Sequence, residues 1–171
     1  MSQLSLPQLT RKLSTPSIES VEEQQRFLGF TIGDNLNALI PLKDLQATIK
    51  ISLSEILPVP QMKDSLLGII NYRGKATWVL DLAHLMGAPH YFGSTDLSTG
   101  MGLLFEVQNE TVALLISRVS TIETYSFQQY LPIGEGMFTE KMRSFLSGYY
   151  MDAVQQPWVA INLASTIKSI I

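Results

Sequence analysis

Two stretches of this chain alternate apolar with small or polar residues, reverse through a short polar turn, and alternate again. In the first, Leu28, Phe30 and Ile32 lead into Gly33-Asp34-Asn35, and Leu36, Ala38 and Ile40 return. In the second, Leu103, Phe105 and Val107 lead into Gln108-Asn109-Glu110, and Val112, Leu114 and Ile116 return. A period of two sends successive side chains to opposite faces of a strand, so each stretch reads as a hairpin with a buried face. Matching Leu28 with Leu103, Phe30 with Phe105, Ile32 with Val107, Ala38 with Ala113 and Leu39 with Leu114 uses one offset of 75 residues without a gap. Such self-similarity points to a duplicated β unit, although alternation alone forces part of the match.

Further strands are expected at Gln46 to Ile51, Leu67 to Tyr72, Ala76 to Asp81, Arg118 to Tyr125, Phe145 to Met151 and Pro157 to Ile161, each rich in branched or aromatic residues. Helical signals are short: Asp81 caps a turn that Gly87 ends, Thr139 to Phe145 adds another, and Asn162 caps a last helix with Leu163, Ile167 and Ile170 on one face. The chain therefore reads as all-β with few short helices, closed as barrels or a sandwich because small sheets must hide their edges. Residues 1–25, with Pro7, Pro16 and many Ser, Gln and Glu, carry no sustained period and read as a disordered N-terminal tail. The stretch from Gly87 to Gly102 reads as a loop between two halves.

A length of 171 residues suits one domain or two very small ones, and 12 Lys+Arg against 15 Asp+Glu leave no broad basic face for nucleic acid. The absence of Cys removes disulfides and thiolate chemistry and fits a reducing compartment. No apolar run approaches the roughly 20 residues that span a bilayer, so no direct membrane insertion is expected and the location reads as cytoplasmic. No nucleophile elbow, phosphate loop or zinc-protease motif occurs, and Gly100-Met-Gly102 and Gly134-Glu-Gly136 lack the third glycine of a dinucleotide fingerprint. His84 and His90 with nearby Asp81 and Asp96 fall far below the specificity of a real metal motif. No catalytic residue, cofactor or metal is expected. Trp78 and Trp158 read as core packing.

One short block makes unusual demands: Leu67-Gly-Ile-Ile-Asn71-Tyr72-Arg73-Gly74-Lys75 runs into Trp78-Val-Leu-Asp81-Leu82. Asn71 and Gly74 bracket a tight reversal, in which Gly accepts positive φ and the Asn side chain satisfies a free backbone group. Arg73 is then presented at the tip, a planar five-donor fork suited to a carboxylate on a partner.

Here the residues resemble the CheW-like coupling proteins, adaptors between chemoreceptors and CheA-type histidine kinases. Their central pattern is Gly, two apolar residues, Asn-Leu-Arg-Gly and a strand ending Val-(Val/Ile)-Asp-Leu; this chain has Gly68-Ile-Ile-Asn71-Tyr72-Arg73-Gly74 and Val79-Leu80-Asp81-Leu82, with Tyr72 departing. The likeness continues in Phe27-Leu-Gly-Phe30, Pro58-Val-Pro60, Phe145-Leu-Ser-Gly148 and Val159-Ala-Ile-Asn162, and defines a CheW-like domain over residues 26–171. It implies two intertwined five-stranded SH3-like β-barrels and no catalysis. It also implies two partners: the regulatory domain of a CheA-type kinase on one barrel, and the cytoplasmic tip of a methyl-accepting chemoreceptor in the groove between barrels. Arg73 matches the contact residue of the pattern, with Asn71 and Gly74 shaping its turn.

Two departures mark further positions. The segment Pro41-Leu-Lys-Asp-Leu45-Gln46-Ala47 has Ala47 where the family often carries an acid, next to Leu45; Ser117-Arg118-Val119 has Arg118 where Asp or Gly is usual. Leu45, Ala47, Arg118 and Val119 join the expected partner-binding set. This drift and the long tail fit a specialised array, such as one serving type IV pilus motility or phototaxis. Two readings without the family compete: a small β-barrel that holds a ligand, and a hydrolase whose acids meet only in the fold.

Overall fold

The alternating segments form strands where their period places them. Among the residues described by the computed structural model, 23–89 and 98–170, ten strands build two five-stranded sheets. The first hairpin is β1 (Gln24–Ile32) and β2 (Leu36–Pro41), followed by β3 (Ala47–Ser52), β4 (Leu66–Tyr72) and β5 (Lys75–Asp81). The second is β6 (Thr99–Val107) and β7 (Glu110–Ile116), followed by β8 (Val119–Ser126), β9 (Leu146–Met151) and β10 (Pro157–Ile161). Among the described residues there are also three short α-helices, α1 (Leu82–Leu85), α2 (Glu140–Arg143) and α3 (Leu163–Lys168), and three single 3-10 turns.

The sheet orders are β8-β1-β2-β10-β9 and β3-β6-β7-β5-β4. Each hairpin therefore pairs with the last three strands of the other repeat, and β2–β10 and β5–β7 are the parallel pairs that tie each hairpin to them. The duplication is real and exchanged: neither five-strand repeat forms a barrel by itself. Each sheet closes through the same device. After β3 the chain bridges back to β4 through Leu57 and Ile69, and after β8 it bridges to β9 through Leu131 and Tyr149. Closure of this kind removes the open edges that small sheets cannot leave bare.

Three apolar clusters result. The largest joins both sheets, with Leu28, Phe30, Ala38 and Ile40 from the first hairpin facing Leu103, Phe105, Val112 and Leu114 from the second. Ile51, Ile70, Val79, Leu104, Ala113 and Leu115 fill one barrel; Phe27, Leu39, Tyr125, Tyr150 and Ala160 fill the other. Trp78 and Trp158 pack against these cores, half-buried.

Several expected boundaries move. The uniform offset of 75 holds for β1 onto β6 but not for β2 onto β7. Ile32 pairs with Leu36 across three turn residues, whereas Val107 pairs with Glu110 across two. The offset there is 74, so Ala38 corresponds to Val112 and Leu39 to Ala113. Both members of the first pair face the joint core and both members of the second face a barrel interior. A slip of one residue exchanges the two faces of a strand, which is why the gapless match fails. The tail expected over residues 1–25 is shorter at its end, because Gln24 and Gln25 pair with Ser126 and Tyr125; backbone pairing needs no apolar side chain. Likewise β6 begins at Thr99, inside the loop expected from Gly87 to Gly102. The rest of the expected tail, that loop's centre and His90 lie outside the described residues.

Candidate functional site

The block around Arg73 becomes the β4–β5 hairpin. Tyr72 pairs with Lys75, leaving Arg73 and Gly74 as a two-residue turn with φ of 51° and 80°. Two consecutive positive φ values belong to the turn whose twist matches flanking strands. Asn71 Oδ1 accepts the backbone N–H of Gly74 at 2.9 Å, which holds the turn. Both residues do what their types imply. Arg73 is exposed, and its Cζ lies 5.2 Å from the centre of the Tyr72 ring. Tyr72 is half-buried against the cluster around Ile70 and Val79, so the tip stands on the barrel core. The sequence singled out Tyr72 only as a departure from a pattern; its ring contact with Arg73 is visible in the structure alone.

The other expected residues sit at the crossovers between sheets. Leu45 precedes β3 where the chain leaves one sheet for the other, and Val119 opens β8 where it crosses back. Both are half-buried against the joint core, and they are equivalent by the 74-residue offset. Ala47 pairs with Leu104, while Arg118 is exposed just before Val119. Pairing register puts the start of β3, the Gln108–Asn109 turn and the Arg73 turn at one end of their sheet, since Ala47 lies opposite Leu104 and Trp78 opposite Val112. Arg118 follows β7 at the other end. The structure thus groups Leu45 and Ala47 with Arg73 along one sheet end and sets Arg118 and Val119 apart.

The resemblance implies a groove between the barrels, but the residues that form it were missed by sequence reading. Helix α3, capped by Asn162 Oδ1 on the Ser165 N–H at 3.1 Å, packs Ile167 into the joint core. Grooves run along both of its sides. One, of about 850 Å³, has Lys43, Asp44, Glu106 and Lys168 around an apolar floor of Phe105, Leu163 and Ile167. The other, of about 380 Å³, is mainly apolar, with Met62, Leu66, Trp78, Val112 and Ile170. Val107, Gln108 and Ile167 line both, so the grooves meet.

The duplication explains why the α3 side is open. Asp81 caps α1 as Asn162 caps α3, with Asp81 Oδ1 accepting the His84 N–H at 3.1 Å. Between Ser52 and Leu66 the first repeat spends 13 residues; between Ser126 and Leu146 the second spends 19. The six extra residues carry α2, whose Met142 packs on the joint core and whose Lys141 lies against Gly87 beside α1. In the shorter connection Lys63 reaches over, donating to the Ser169 carbonyl at the end of α3.

Among the described residues no three His, Asp or Glu side chains converge as a metal site, and no helix is long and apolar enough to cross a membrane.

Comparison with solved structures finds 15 matching chains. One is the scaffolding protein TtCheW from Thermoanaerobacter tengcongensis, at 18% identity and a TM-score of 0.70, with 82% of this chain and 90% of that one covered. No curated protein sequence matches the chain. A family model described as the CheW-like domain matches residues 26–170. A duplicated, exchanged pair of SH3-like barrels and a family match over most of the length agree: the chain belongs to the CheW-like domain family.

Proposed function

We propose that this protein is a cytoplasmic, non-enzymatic adaptor that couples a methyl-accepting chemoreceptor to a CheA-type histidine kinase, with the Arg73 hairpin tip contacting the kinase regulatory domain. The observation that carries this is the presentation of Arg73. A hydrogen-bonded two-residue turn on a packed barrel holds an exposed guanidinium at its apex. A planar fork of that kind pairs bidentately with a carboxylate, and Arg is enriched among interface hot spots.

Calorimetry of the full chain against the regulatory domain of a co-occurring CheA-type kinase tests it. Micromolar binding is expected. Truncating a desolvated Arg–carboxylate pair costs on the order of 2 kcal/mol, about thirtyfold in affinity, so Arg73→Ala should weaken binding by that much and Arg73→Glu by more. Binding that ignores both variants would move the kinase contact elsewhere on the adaptor, and no binding would overturn the adaptor role.

The receptor tip is assigned to the grooves beside α3, where an apolar floor with charges at its rim suits an amphipathic helical hairpin. The departures at Ala47 and Arg118 support a specialised array, for which we propose type IV pilus motility or phototaxis; a deletion that leaves surface motility and its directional response intact would disprove that setting. A ligand held inside a barrel is less well supported, because side chains fill both interiors.

A further inference from the structure

We propose that Tyr72 is a positioning residue for Arg73, holding the guanidinium over its ring so that the tip selects a carboxylate bordered by apolar surface; this rests on reading Arg73 as the kinase contact. Three observations meet here. Arg73 Cζ lies 5.2 Å from the Tyr72 ring centre, within the range of a cation–π contact. Among the described residues Arg73 makes no hydrogen bond or ion pair, so the ring is what orients it. The ring is itself fixed: Tyr72 pairs with Lys75 across the turn and packs half-buried against the barrel cluster of Ile70 and Val79.

The consequence for recognition follows from guanidinium chemistry. Stacking occupies one face of the planar group and leaves its in-plane N–H donors free, so a bidentate carboxylate contact remains available. A long side chain loses rotamer freedom when it is captured by a partner, and a ring that has already restricted it lowers that cost. The Leu that the family pattern carries at this place has no π face and offers packing alone. The faces of a guanidinium are weakly hydrated and stack on apolar or aromatic groups, which favours an acid set beside an aliphatic or aromatic surface rather than one ringed by other charges.

Two measurements on the full chain decide it. In the free protein, ring current from Tyr72 should move the Arg73 side-chain methylene protons upfield in the wild type and in Tyr72→Phe, and this shift should vanish in Tyr72→Leu. Against the kinase regulatory domain, Tyr72→Phe should bind within about twofold of wild type. Tyr72→Leu should weaken binding about three- to fivefold, and that loss should disappear in an Arg73→Ala background. Absence of the ring-current shift in the wild type overturns the proposal, as does a Tyr72→Leu loss that persists without Arg73. So does unchanged binding by Tyr72→Leu while Arg73→Ala is impaired. If Arg73→Ala binds like wild type, the kinase contact itself is misplaced, and the proposal falls with it for that separate reason.

Discussion

Gly68 lies so close to Leu57 that a Cβ built on it would stand 2.1 Å from the Leu57 carbonyl oxygen. The approach lets Leu57 and Ile69 exchange two backbone hydrogen bonds, of 2.8 and 2.9 Å, that close the barrel beneath the Arg73 turn. Gly68 also has φ of +144°, a backbone region that L side chains rarely adopt. Gly148 is its equivalent in the other barrel, beside the Leu131–Tyr149 bridge, but what a Cβ would meet there is the Tyr130 ring, also at 2.1 Å. A ring on an exposed residue can move; a carbonyl in a closing bridge cannot.

The two glycines should therefore respond differently to alanine. Gly68→Ala should cost about 3 kcal/mol of unfolding free energy, and Gly148→Ala about 1 kcal/mol through displacement of Tyr130 and its bond to the Ser147 carbonyl. Urea denaturation of the purified variants measures both. Equal losses would mean that the closing bridges are not distinguished by what the glycine faces.

Tyr125 stacks on Tyr150 at 4.6 Å inside the first-hairpin barrel, and its buried hydroxyl has no hydrogen-bond partner among the described residues. Burial first, then the charges of Glu123 and Asp152, push its pKa up to about 12. A group with a raised folded pKa stabilises below its unfolded value and withdraws that stability as pH climbs through the folded value. The fold should thus weaken between about pH 10 and about pH 12, and Tyr125→Phe should flatten that alkaline limb. At neutral pH the same variant removes an unsatisfied polar group and should be neutral or stabilising by about 1 kcal/mol. Tyrosinate absorbance and thermal melts across this range test both statements; a marked loss at neutral pH would show that the hydroxyl has a partner.

Asp152 organises the β9–β10 turn. It accepts the Gln156 and Val154 backbone N–H groups at 2.9 Å each and the Trp158 indole N–H at 3.0 Å. The Gln156 N–H, then the indole, hold its carboxyl below the ordinary value, with the Val154 N–H adding to them and desolvation opposing. A depressed folded pKa gives stability that is present above the unfolded carboxylate value and lost as pH falls through the folded one. Acid unfolding should therefore begin below about pH 4, and Asp152→Asn should shrink that limb while losing stability at neutral pH, because an amide NH₂ cannot accept the indole proton. Chemical denaturation at a series of acid pH values reads this out; an unchanged acid limb would remove Asp152 as its source.

The hairpins, two of the capped short helices and the Arg73 turn were legible in the sequence because each is encoded locally, by period-two alternation, by Asp81 and Asn162 before short helices, and by Asn71 and Gly74. The repeat was visible only in its first strand. Its register in the second depends on whether a turn has two residues or three, and Gln108-Asn109-Glu110 supports either count. Exchange of strands between repeats left no local mark, since β5 and β10 pair in parallel with hairpins far away in sequence. The residues that line the grooves escaped notice for the same reason: Lys43, Glu106 and Leu163 come together only once the barrels share a core. The Tyr72–Arg73 contact joins adjacent residues, but adjacency alone does not put a guanidinium over a ring; the left-handed Arg73 does.

Exposed Ala164 lines the larger groove on α3, and enlarging it should separate the two partners. Helix α3 is held by the Asn162 cap and by buried Thr166 and Ile167, none of which Ala164 contributes to, so Ala164→Arg should leave stability within about 0.5 kcal/mol of wild type. The new side chain would project over the apolar floor of Phe105 and Leu163 and occupy space a helical hairpin needs. Binding of a receptor cytoplasmic fragment should fall at least tenfold, while binding to the kinase regulatory domain, assigned to the Arg73 tip, should not change. Parallel calorimetric titrations with the two fragments measure the difference. Equal losses would merge the two contacts into one surface, and no loss with the receptor fragment would take the receptor out of this groove.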